Sequence, residues 1–370
     1  MEAAAGAPVR GPDAESIKAP FRTVKRFRNR LLLVIIVLVQ RRPTITDVAA
    51  AAGVSVATVS KAINGRYGVG GETAARVLQV ASELGYASSL GASSMRSSRT
   101  GVVGVFIAAF EPFSTEVMKG IGVALGDSGN DLLAYSSLTG NEHDGWERRS
   151  LSRLAGTIDG AILVAPTVVD LPGTIPLVAI DPHTGPAGLP TVDSDGYGGA
   201  RLAMQHLIGL GHRRIGFVSG RQDLRSALLR EAGYRSALDD AGIPFDPDLV
   251  RAGNYELRLS RDAAGALLDL ADPPTAVFGA NDLSAIATVQ VAQSRGLSVP
   301  GDLSVVGFDD VPEAARADPP LTTVRQPMQQ LGNEAVAMML ALLANQELRR
   351  PHVTLATRLV ERRTTAPPRR

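Results

Sequence analysis

Residues 44–65, "TITDVAAAAGVSVATVSKAING", decide the fold of the first part of this chain. Thr46 is a candidate N-cap for a short helix, Gly53 supplies the positive φ of a tight turn, and Ser55 is a candidate N-cap for a second helix. This order of caps, turn and alanine-rich helices predicts a helix-turn-helix.

A third helix is predicted at about residues 72–84, where Val77, Val80 and Leu84 would close a small core. In the second helix, Val59 is expected to face that core, which leaves the opposite side for a ligand or for solvent. The alternative is a set of ordinary core helices, which the pattern taken alone also allows.

The quoted stretch carries only two formal charges, Asp47 and Lys61, although nucleic acid is a polyanion. Phosphate contacts position a protein on DNA, whereas base-edge contacts specify the sequence, so a nearly neutral helix surface can still recognise DNA. The helix N-terminus at Ser55 also offers backbone N–H groups to a phosphate. The side chains predicted to contact DNA are Thr46, Ser55, Val56, Ala57, Ser60, Lys61 and Asn64.

The length of 370 residues, 45% of them hydrophobic, predicts at least two domains, because single cores stop growing at roughly 250 to 300 residues. The chain has no cysteine, which excludes disulfides and thiolate metal sites. Its five histidines show no metal-ligand spacing. We therefore expect a cytoplasmic protein with no metal and no cofactor.

Charge is distributed unevenly along the chain. Residues 1–42 hold nine Lys or Arg against three Asp or Glu, residues 43–100 hold five against three, and the remainder holds 24 against 31. A basic N-terminal quarter followed by an acidic body is expected when one end of a protein meets nucleic acid.

The first 42 residues contain a run of nine apolar residues, 31–39, between basic flanks. As a helix this run would rise about 14 Å, whereas a bilayer core of about 30 Å needs roughly twenty residues, so a membrane-spanning segment is excluded. No small-residue cleavage site follows it. We expect either a disordered extension or a mis-assigned translation start, with Val34, Val37 or Val39 as the first residue.

The motifs along the chain resemble the LacI/GalR family, the lactose and galactose repressors. The resemblance begins with residues 44–65 and continues through "VDSDGYGGARLAMQHLIGLGHRRIGFVSG", "LREAGYRSAL", "AVFGANDLSAIATVQVAQSRGLSVPGDLSVVGFDD" and "PPLTTVRQPMQQLG", up to about residue 365. It implies a small all-α helix-turn-helix DNA-binding domain followed by an α/β two-lobe effector domain that is periplasmic-binding-protein-like. It also implies a homodimer on double-stranded operator DNA.

The segment "SSLGASSMRSSRTG" occupies the position of the family's hinge, which forms a helix on the operator. The resemblance implies that Ala92 and Met95 contact DNA there, with Met95 as the apolar wedge in the minor groove. Ser88 and Ser89 replace the family's usual Pro-Asn, and Gly91 lowers helix propensity further, so we expect a looser hinge.

The body of the chain reads as two α/β lobes. The β-branched runs "VVGVFIAA", "DLLAYSS", "GAILVA" and "LVAI" alternate with helical stretches, and "RRIGFVSG", "TAVFGA" and "LSVVGFDD" repeat the pattern after residue 192. One more helix, near 328–344, and one strand, "VTLATRLVE", are predicted in the tail, which ends in a disordered stretch.

Ligands of open α/β sheets bind beyond the carboxyl ends of the strands, where Asp181, Asn281 and Asp309 follow predicted strands. Arg230, at the start of "REAGY", adds a fork of donors. Carboxylate, amide and guanidinium groups suit the vicinal hydroxyls of a sugar, although a helix cap is the alternative role of each acid. The effector-binding residues that the resemblance implies are Phe113, Asp181, Arg230, Tyr255, Asn281 and Asp309.

The sequence therefore predicts a transcriptional repressor, controlled by a sugar or sugar derivative, and no enzyme. The sequence has no GKS/T phosphate loop, and the glycines of "GIGVALG" at 120–126 lie on a predicted helix and lack the GxGxxG spacing. The alternative is a sugar-binding protein without regulatory DNA binding. The predicted boundaries are 1–42 for the extension, 43–87 for the helix-turn-helix domain, 88–100 for the hinge, 101–365 for the two-lobe domain and 366–370 for the disordered tail.

Overall fold

A computed structural model describes residues 43–63, 67–84, 86, 99–126, 128–136, 145–168, 171, 175–186 and 188–369. The chain forms two compact units that divide between residues 87 and 88. The predicted extension and nearly all of the predicted hinge, with Asn64, Ala92 and Met95, lie outside the described residues.

The first unit contains three helices, α1 (Ile45–Ala52), α2 (Val56–Ile63) and α3 (Gly71–Glu83). The cap of α1 is Thr44, so the prediction of Thr46 as the cap was wrong. Thr44 accepts from the Asp47 backbone N–H, and its own N–H donates to the Asp47 carboxylate at 2.6 Å. This reciprocal capping box requires an acid three residues after the cap, and Asp47 stands in that position relative to Thr44.

The turn and the second cap are confirmed. Gly53 has φ 64°, and the Thr58 backbone N–H donates to Ser55 Oγ at 3.1 Å. Val48, Val59 and Val77 are fully buried where the three helices meet. Leu84 was wrongly assigned to this core: α3 ends one residue earlier, and Leu84 is 39% exposed.

The first lobe of the second unit is a six-stranded parallel sheet in the order β2-β1-β3-β4-β5-β11. Its strands are β1 (Val102–Ile107), β2 (Asp131–Ser136), β3 (Gly160–Val164), β4 (Leu177–Ile180), β5 (Thr191–Ser194) and β11 (His352–Leu355). Its helices are α4 (Pro112–Gly126), α5 (Trp146–Leu154) and α11 (Met328–Leu343). Strands β1, β3 and β4 are buried along their whole length, as expected for a parallel sheet with helices on its faces.

The second lobe repeats this plan in the order β7-β6-β8-β9-β10-β12, with only β12 antiparallel to its neighbour β10. Its strands are β6 (Ile215–Ser219), β7 (Val250–Ala252), β8 (Ala276–Gly279), β9 (Ser304–Asp309), β10 (Thr322–Arg325) and β12 (Arg358–Val360). Its helices are α6 (Gly196–Gly209), α7 (Arg225–Asp240), α8 (Leu257–Leu268), α9 (Asp282–Ser294) and α10 (Pro312–Arg316), and a 3₁₀ turn spans Pro247–Leu249.

The chain crosses between the lobes three times, after β5, after β10 and between β11 and β12. The single strand predicted in "VTLATRLVE" is therefore two strands, one at an edge of each sheet. The break follows from the crossing: the Asp195 backbone N–H donates to Leu355 O at 2.9 Å, and Thr357 Oγ1 donates to Asp195 O at 3.1 Å. At the remaining crossing, Ser194 Oγ donates to the Gln326 side chain.

The C-terminal tail is ordered as far as Arg369, which corrects the prediction of a disordered end. Thr364 is fully buried, and its carbonyl accepts from the Val305 backbone N–H at 2.7 Å. Ser304 Oγ donates to Ala366 O at 2.9 Å, and His212 is buried with Nε2 at 2.9 Å from the same oxygen. Composition alone favoured disorder, but the start of β9, before its pairing with β10 begins at Val306, offers this polar tail hydrogen-bond partners.

Close packing of α4 against α11 makes Gly120 irreplaceable, because a Cβ built there would collide with the backbone of Gln329. We expect Gly120→Ala to lower the free energy of unfolding by about 1 to 3 kcal/mol through overpacking. Gly122→Ala is the matched control, since no atom lies within 4 Å of its Cβ; it should be neutral or stabilise by up to about 1 kcal/mol. Urea unfolding measures both, and equal effects would contradict the close approach.

Candidate functional site

A cleft of about 670 Å³ lies between the two lobes of the second unit. It opens at the carboxyl ends of the strands of both sheets, which is where open α/β sheets bind their ligands. All six side chains predicted to contact an effector line it. Lobe 1 contributes Phe113 and Asp181, and lobe 2 contributes Arg230, Tyr255, Asn281 and Asp309.

Arg230 is the most deeply buried cation of the cleft, at 4% exposure. It lies within α7. Its guanidinium carbon stacks 3.9 Å from the Phe308 ring centroid, and Nη1 donates to Ala280 O at 2.5 Å. Nη2 is 3.6 Å from Asp309 Oδ1, and Nε has no hydrogen-bond partner within the described structure. The Arg230 guanidinium is therefore held rigidly, and its Nε is still available as a donor.

Two carboxylates face this guanidinium, one from each lobe. Burial raises the pKa of Asp181 and that of Asp309 to about 6, and Arg230 opposes the shift in both. Asp309 Oδ1 also accepts from Gln326 Nε2 at 2.6 Å, which ties it to an interlobe crossing. Both residues have positive φ, 47° for Asp181 and 120° for Asp309. Such strained backbone in a non-glycine residue is typical of functional sites.

The helix-cap alternative, which applied to the two acids, holds for neither of them, whereas the third polar residue at a strand end is a cap. Asn281 is the N-cap of α9, because its Oδ1 accepts from the Ser284 backbone N–H at 2.9 Å. Its amide nitrogen remains as the group it offers to the cleft. Asp181 and Asp309 cap none of the helices in the described part of the chain.

A third buried acid, Asp282, was not predicted, although it stands next to Asn281. It is fully buried and accepts from Thr323 Oγ1 at 2.5 Å and from the Val311 backbone N–H at 2.8 Å. Burial and the nearby Asp309 raise its pKa well above the usual range. The oxygens of Asp282 already accept hydrogen bonds from β10 and from the segment after β9. Asp282 therefore supports the geometry of Asp309 and does not line the cleft.

Several cleft residues escaped the sequence prediction because they stand in loops or, in the case of Trp146, at the start of α5. Glu111 and Trp146 come from lobe 1, and Arg221, Asp223 and Glu256 come from lobe 2. Partial burial raises the pKa of Glu111, and Arg221 opposes that shift. Trp146 is 5% exposed and stacks on Tyr135, with ring centroids 6.3 Å apart. A lone Trp after a polar stretch of sequence is the only sequence signal that pointed to this wall.

One side of the cleft is closed by contacts between the lobes. The Arg225 backbone N–H donates to His183 O at 2.9 Å, and Arg225 Nη1 donates to Asp193 Oδ2 at 3.3 Å. Arg225 begins α7 in lobe 2, whereas His183 and Asp193 belong to lobe 1. These contacts define the angle between the lobes in this structure.

Among the predicted DNA-contacting side chains, Ser55, Val56 and Ala57 stand at the start of α2, Ser60 and Lys61 in its last turn, and Thr46 on α1. Val56 is 42% exposed although it is apolar, and Ala57 and Lys61 are also exposed, while Val59 on the other side of α2 is buried. Ser55 and Thr46 are exposed and Ser60 is half-buried. Exposed small apolar side chains beside a helix N-terminus suit contacts to thymine methyl groups and phosphates.

Two other kinds of site are not found in the residues that the structure describes. None of its helices is both long enough and apolar enough to cross a membrane. Over the same residues, no cluster of three or more His, Asp or Glu side chains is placed to hold a metal ion.

Two segments of the chain match known protein families. Residues 44–89 match the bacterial regulatory proteins of the lacI family, and residues 204–365 match the periplasmic binding protein-like domain. The first match contains α1 to α3. The second contains Arg230, Tyr255, Asn281 and Asp309.

Individual relatives match over most of the chain. The HTH-type transcriptional regulator CelR of Thermobifida fusca is 35% identical over 343 residues, which cover 87% of this chain and 98% of CelR. A solved CelR–cellobiose complex has a TM-score of 0.66 at 35% identity and covers 87% of this chain and 100% of its own. The lac repressor dimer bound to operator and the anti-inducer ONPF has a TM-score of 0.73 at 26% identity, covering 88% and 100%.

Proposed function

The chain belongs to the LacI family and is a DNA-binding transcriptional regulator, and from that premise we propose that it is a homodimeric repressor controlled by a carbohydrate effector. The dimer would bind a near-palindromic operator in the cytoplasm, with one helix-turn-helix on each half-site. Solved relatives support both parts of the proposal: the lac repressor is a dimer on its operator, and CelR is in complex with cellobiose.

The observation that carries the effector proposal is the state of Arg230. A guanidinium that is buried and held by Phe308 still has a donor without a partner. A buried unsatisfied donor costs about 1 to 3 kcal/mol, so a ligand that accepts from it stabilises the closed cleft. The neighbouring Asp181 and Asp309 supply acceptors, and adjacent sugar hydroxyls, which both donate and accept, match this set.

Effector binding is proposed to act through the angle between the lobes. The ligand would contact Asp181 on one lobe and Arg230 and Asp309 on the other, so its binding energy depends on how the lobes are arranged. Because the lobes are connected by three chain crossings, a change of angle moves lobe 1 as a body and with it the start of β1, to which the hinge leads. Ala92 and Met95 are proposed as the hinge contacts to the minor groove.

The proposal is tested with a thermal-shift panel of mono- and disaccharides on the full-length protein. A ligand at 100 times its dissociation constant stabilises by about 2.7 kcal/mol, which is easily detected. The ligand is then added to a complex with operator DNA selected from a random duplex pool. A saccharide that binds and changes operator affinity is the expected result. Ligand binding without any sequence-preferring DNA binding would instead favour a sugar-binding protein without a regulatory role.

The two raised carboxylate pKa values predict that effector binding releases protons near pH 6. Folding raises the pKa of Asp181 and Asp309 from 3.8 to about 6. The stabilisation of the folded state by the protons bound to these two groups is therefore fully present below pH 3.8 and is lost as the pH rises through about 6. Ligand hydroxyls that donate to the carboxylates favour the ionised forms and lower both pKa values. Effector affinity should therefore fall as the pH drops below about 6.

Calorimetry in two buffers of different ionisation enthalpy measures the protons released. We expect release at pH 6 and almost none at pH 8, where both carboxylates are already ionised. Proton uptake at pH 6 would contradict the role of these carboxylates as acceptors.

A further inference from the structure

The charges that line the cleft are unbalanced. Five acids, Glu111, Asp181, Asp223, Glu256 and Asp309, face it, whereas Arg221 and Arg230 are the arginines among the described lining residues. With every acid ionised and His183 neutral, this lining carries an excess of three negative charges. An excess of one sign in a cleft with low-dielectric walls produces a focused potential that acts on any charged ligand.

Both arginines are already engaged with acids. Arg221 makes a two-pronged pair with Asp223, with Nε at 3.1 Å from Oδ1 and Nη2 at 2.5 Å from Oδ2. Arg230 lies between Asp181 and Asp309, as described above. Arg221 would have to give up its two-pronged partner to receive a phosphate or a carboxylate. Arg230 has only Nε without a partner, which is one donor beside two acids and does not make a two-pronged anion site.

Two of the three excess charges stand at the rim, one on each lobe. Glu111 follows β1 in lobe 1, and Glu256 precedes α8 in lobe 2. Burial is the main cause of the raised pKa of Glu111; the nearby Arg221 opposes the shift, and Glu256 adds to it. Both carboxylates would repel an anionic ligand, whereas a hydroxyl or an ammonium group can donate a hydrogen bond to either of them.

We propose that this cleft selects a saccharide without an anionic group, neutral or amino-substituted, and that Glu111 and Glu256 enforce this choice. Phosphorylated sugars and sugar acids are excluded by charge and not by size. This inference rests on the proposed function, since it specifies the class of effector for the same cleft.

The first experiment screens matched saccharides by thermal shift on the full-length dimer: neutral mono- and disaccharides, their amino derivatives, their uronic or aldonic acids, and their phosphates. We expect every saccharide that binds to be neutral or amino-substituted, and its acid or phosphate derivative to bind at least about tenfold more weakly. An anionic derivative that binds more tightly than its neutral parent would overturn the inference while leaving a carbohydrate effector intact. A panel without any binder would contradict the proposed function and this inference together.

The second experiment removes the discriminating charges. In the double variant Glu111→Gln/Glu256→Gln, the gap in affinity between the neutral and the anionic form of the same saccharide should narrow by about tenfold at low salt. The reason is that two unit charges near the ligand are gone. The gap of the wild-type protein should also narrow at 1 M salt, where the Debye length is about 3 Å. Glu313→Gln, an exposed acid on α10 outside the cleft, is the matched control and should change nothing.

Both rim glutamates keep part of their side chains exposed to solvent, so the double variant is expected to fold, and its melting temperature without ligand checks this. An unchanged gap in a folded double variant would show that the rim charges do not select the effector.

Discussion

Replacing Arg230 with alanine is expected to lower the free energy of unfolding by about 3 to 5 kcal/mol, because it leaves buried carboxylates without their cation. Asp309 and Asp181 would then face each other across the cleft, with Asp282 behind them. Both partners have raised pKa values, so the loss should shrink at acid pH as protons replace the missing charge. Urea unfolding at pH 5 and pH 8 measures the difference.

Arg230→Lys separates ligand recognition from stability. It keeps the buried charge but removes the planar fork, so most of the stability should remain while hydrogen bonds to the effector are lost. Loss of one charged hydrogen bond costs about 1.5 to 3 kcal/mol, which lowers effector affinity roughly 10- to 150-fold. Operator affinity without effector should stay near the wild-type value. Whether the regulator then stays bound to its operator or stays off it identifies the effector as inducer or corepressor.

Arg235→Ala is the matched control on the same helix. Arg235 is exposed and pairs with Glu231 at 2.7 Å, and exposed pairs contribute about 0 to 1 kcal/mol. An Arg230→Lys protein that binds effector as tightly as the wild type would remove Arg230 from the proposed contacts.

The second large effect is expected at the start of α2. Exchanging Val56 and Ala57 for other side chains should change which operator is preferred, since each mismatched base pair costs about 1 to 3 kcal/mol. A dimer repeats each mismatch in both half-sites, so discrimination between the old and the new operator should shift by about 2 to 6 kcal/mol. Gel-shift competition between selected duplexes measures the shift.

Two comparisons control for general effects on binding. Ala75→Ser, at an exposed position of α3, should leave the preference unchanged. Lys61→Ala, if its contact is to a phosphate, should weaken all duplexes alike and flatten the salt dependence. The proposed recognition surface is wrong if the Val56/Ala57 exchange weakens all duplexes equally and leaves the preferred sequence unchanged.

Three of the six predicted cleft residues share one property: they stand at the ends of strands. Parallel strands bring their carboxyl ends to one edge, so Asp181, Asn281 and Asp309 were brought together by a rule that needs no contact information. Glu111 and Glu256 stand in loops, where side-chain position depends on packing that no local pattern encodes. The sequence therefore predicted the side chains at the strand ends and missed the two glutamates at the rim of the cleft.

The wrong predictions for the N-cap of α1 and for the C-terminal tail have the same origin. Thr44 and Thr46 are both good capping residues, and the choice between them depended on the extended backbone of Thr44 and its reciprocal bond with Asp47. The tail was judged by composition, whereas its order depends on hydrogen bonds to Ser304 and Val305, about sixty residues earlier in the chain. Local propensity is a weak guide wherever a distant partner decides the structure.

Trp146 gives the protein its own optical reporter. The chain contains a single tryptophan, and its indole lines the cleft, stacked on Tyr135 and tilted against Phe106. All tryptophan emission therefore comes from one wall of the cleft, and none comes from the DNA-binding unit. A saccharide that displaces water beside the indole, or changes the lobe angle, alters the emission wavelength or yield, so effector titrations need no label. Because DNA binding leaves this signal untouched unless it moves the lobes, the same emission reads out communication between the two ends of the molecule.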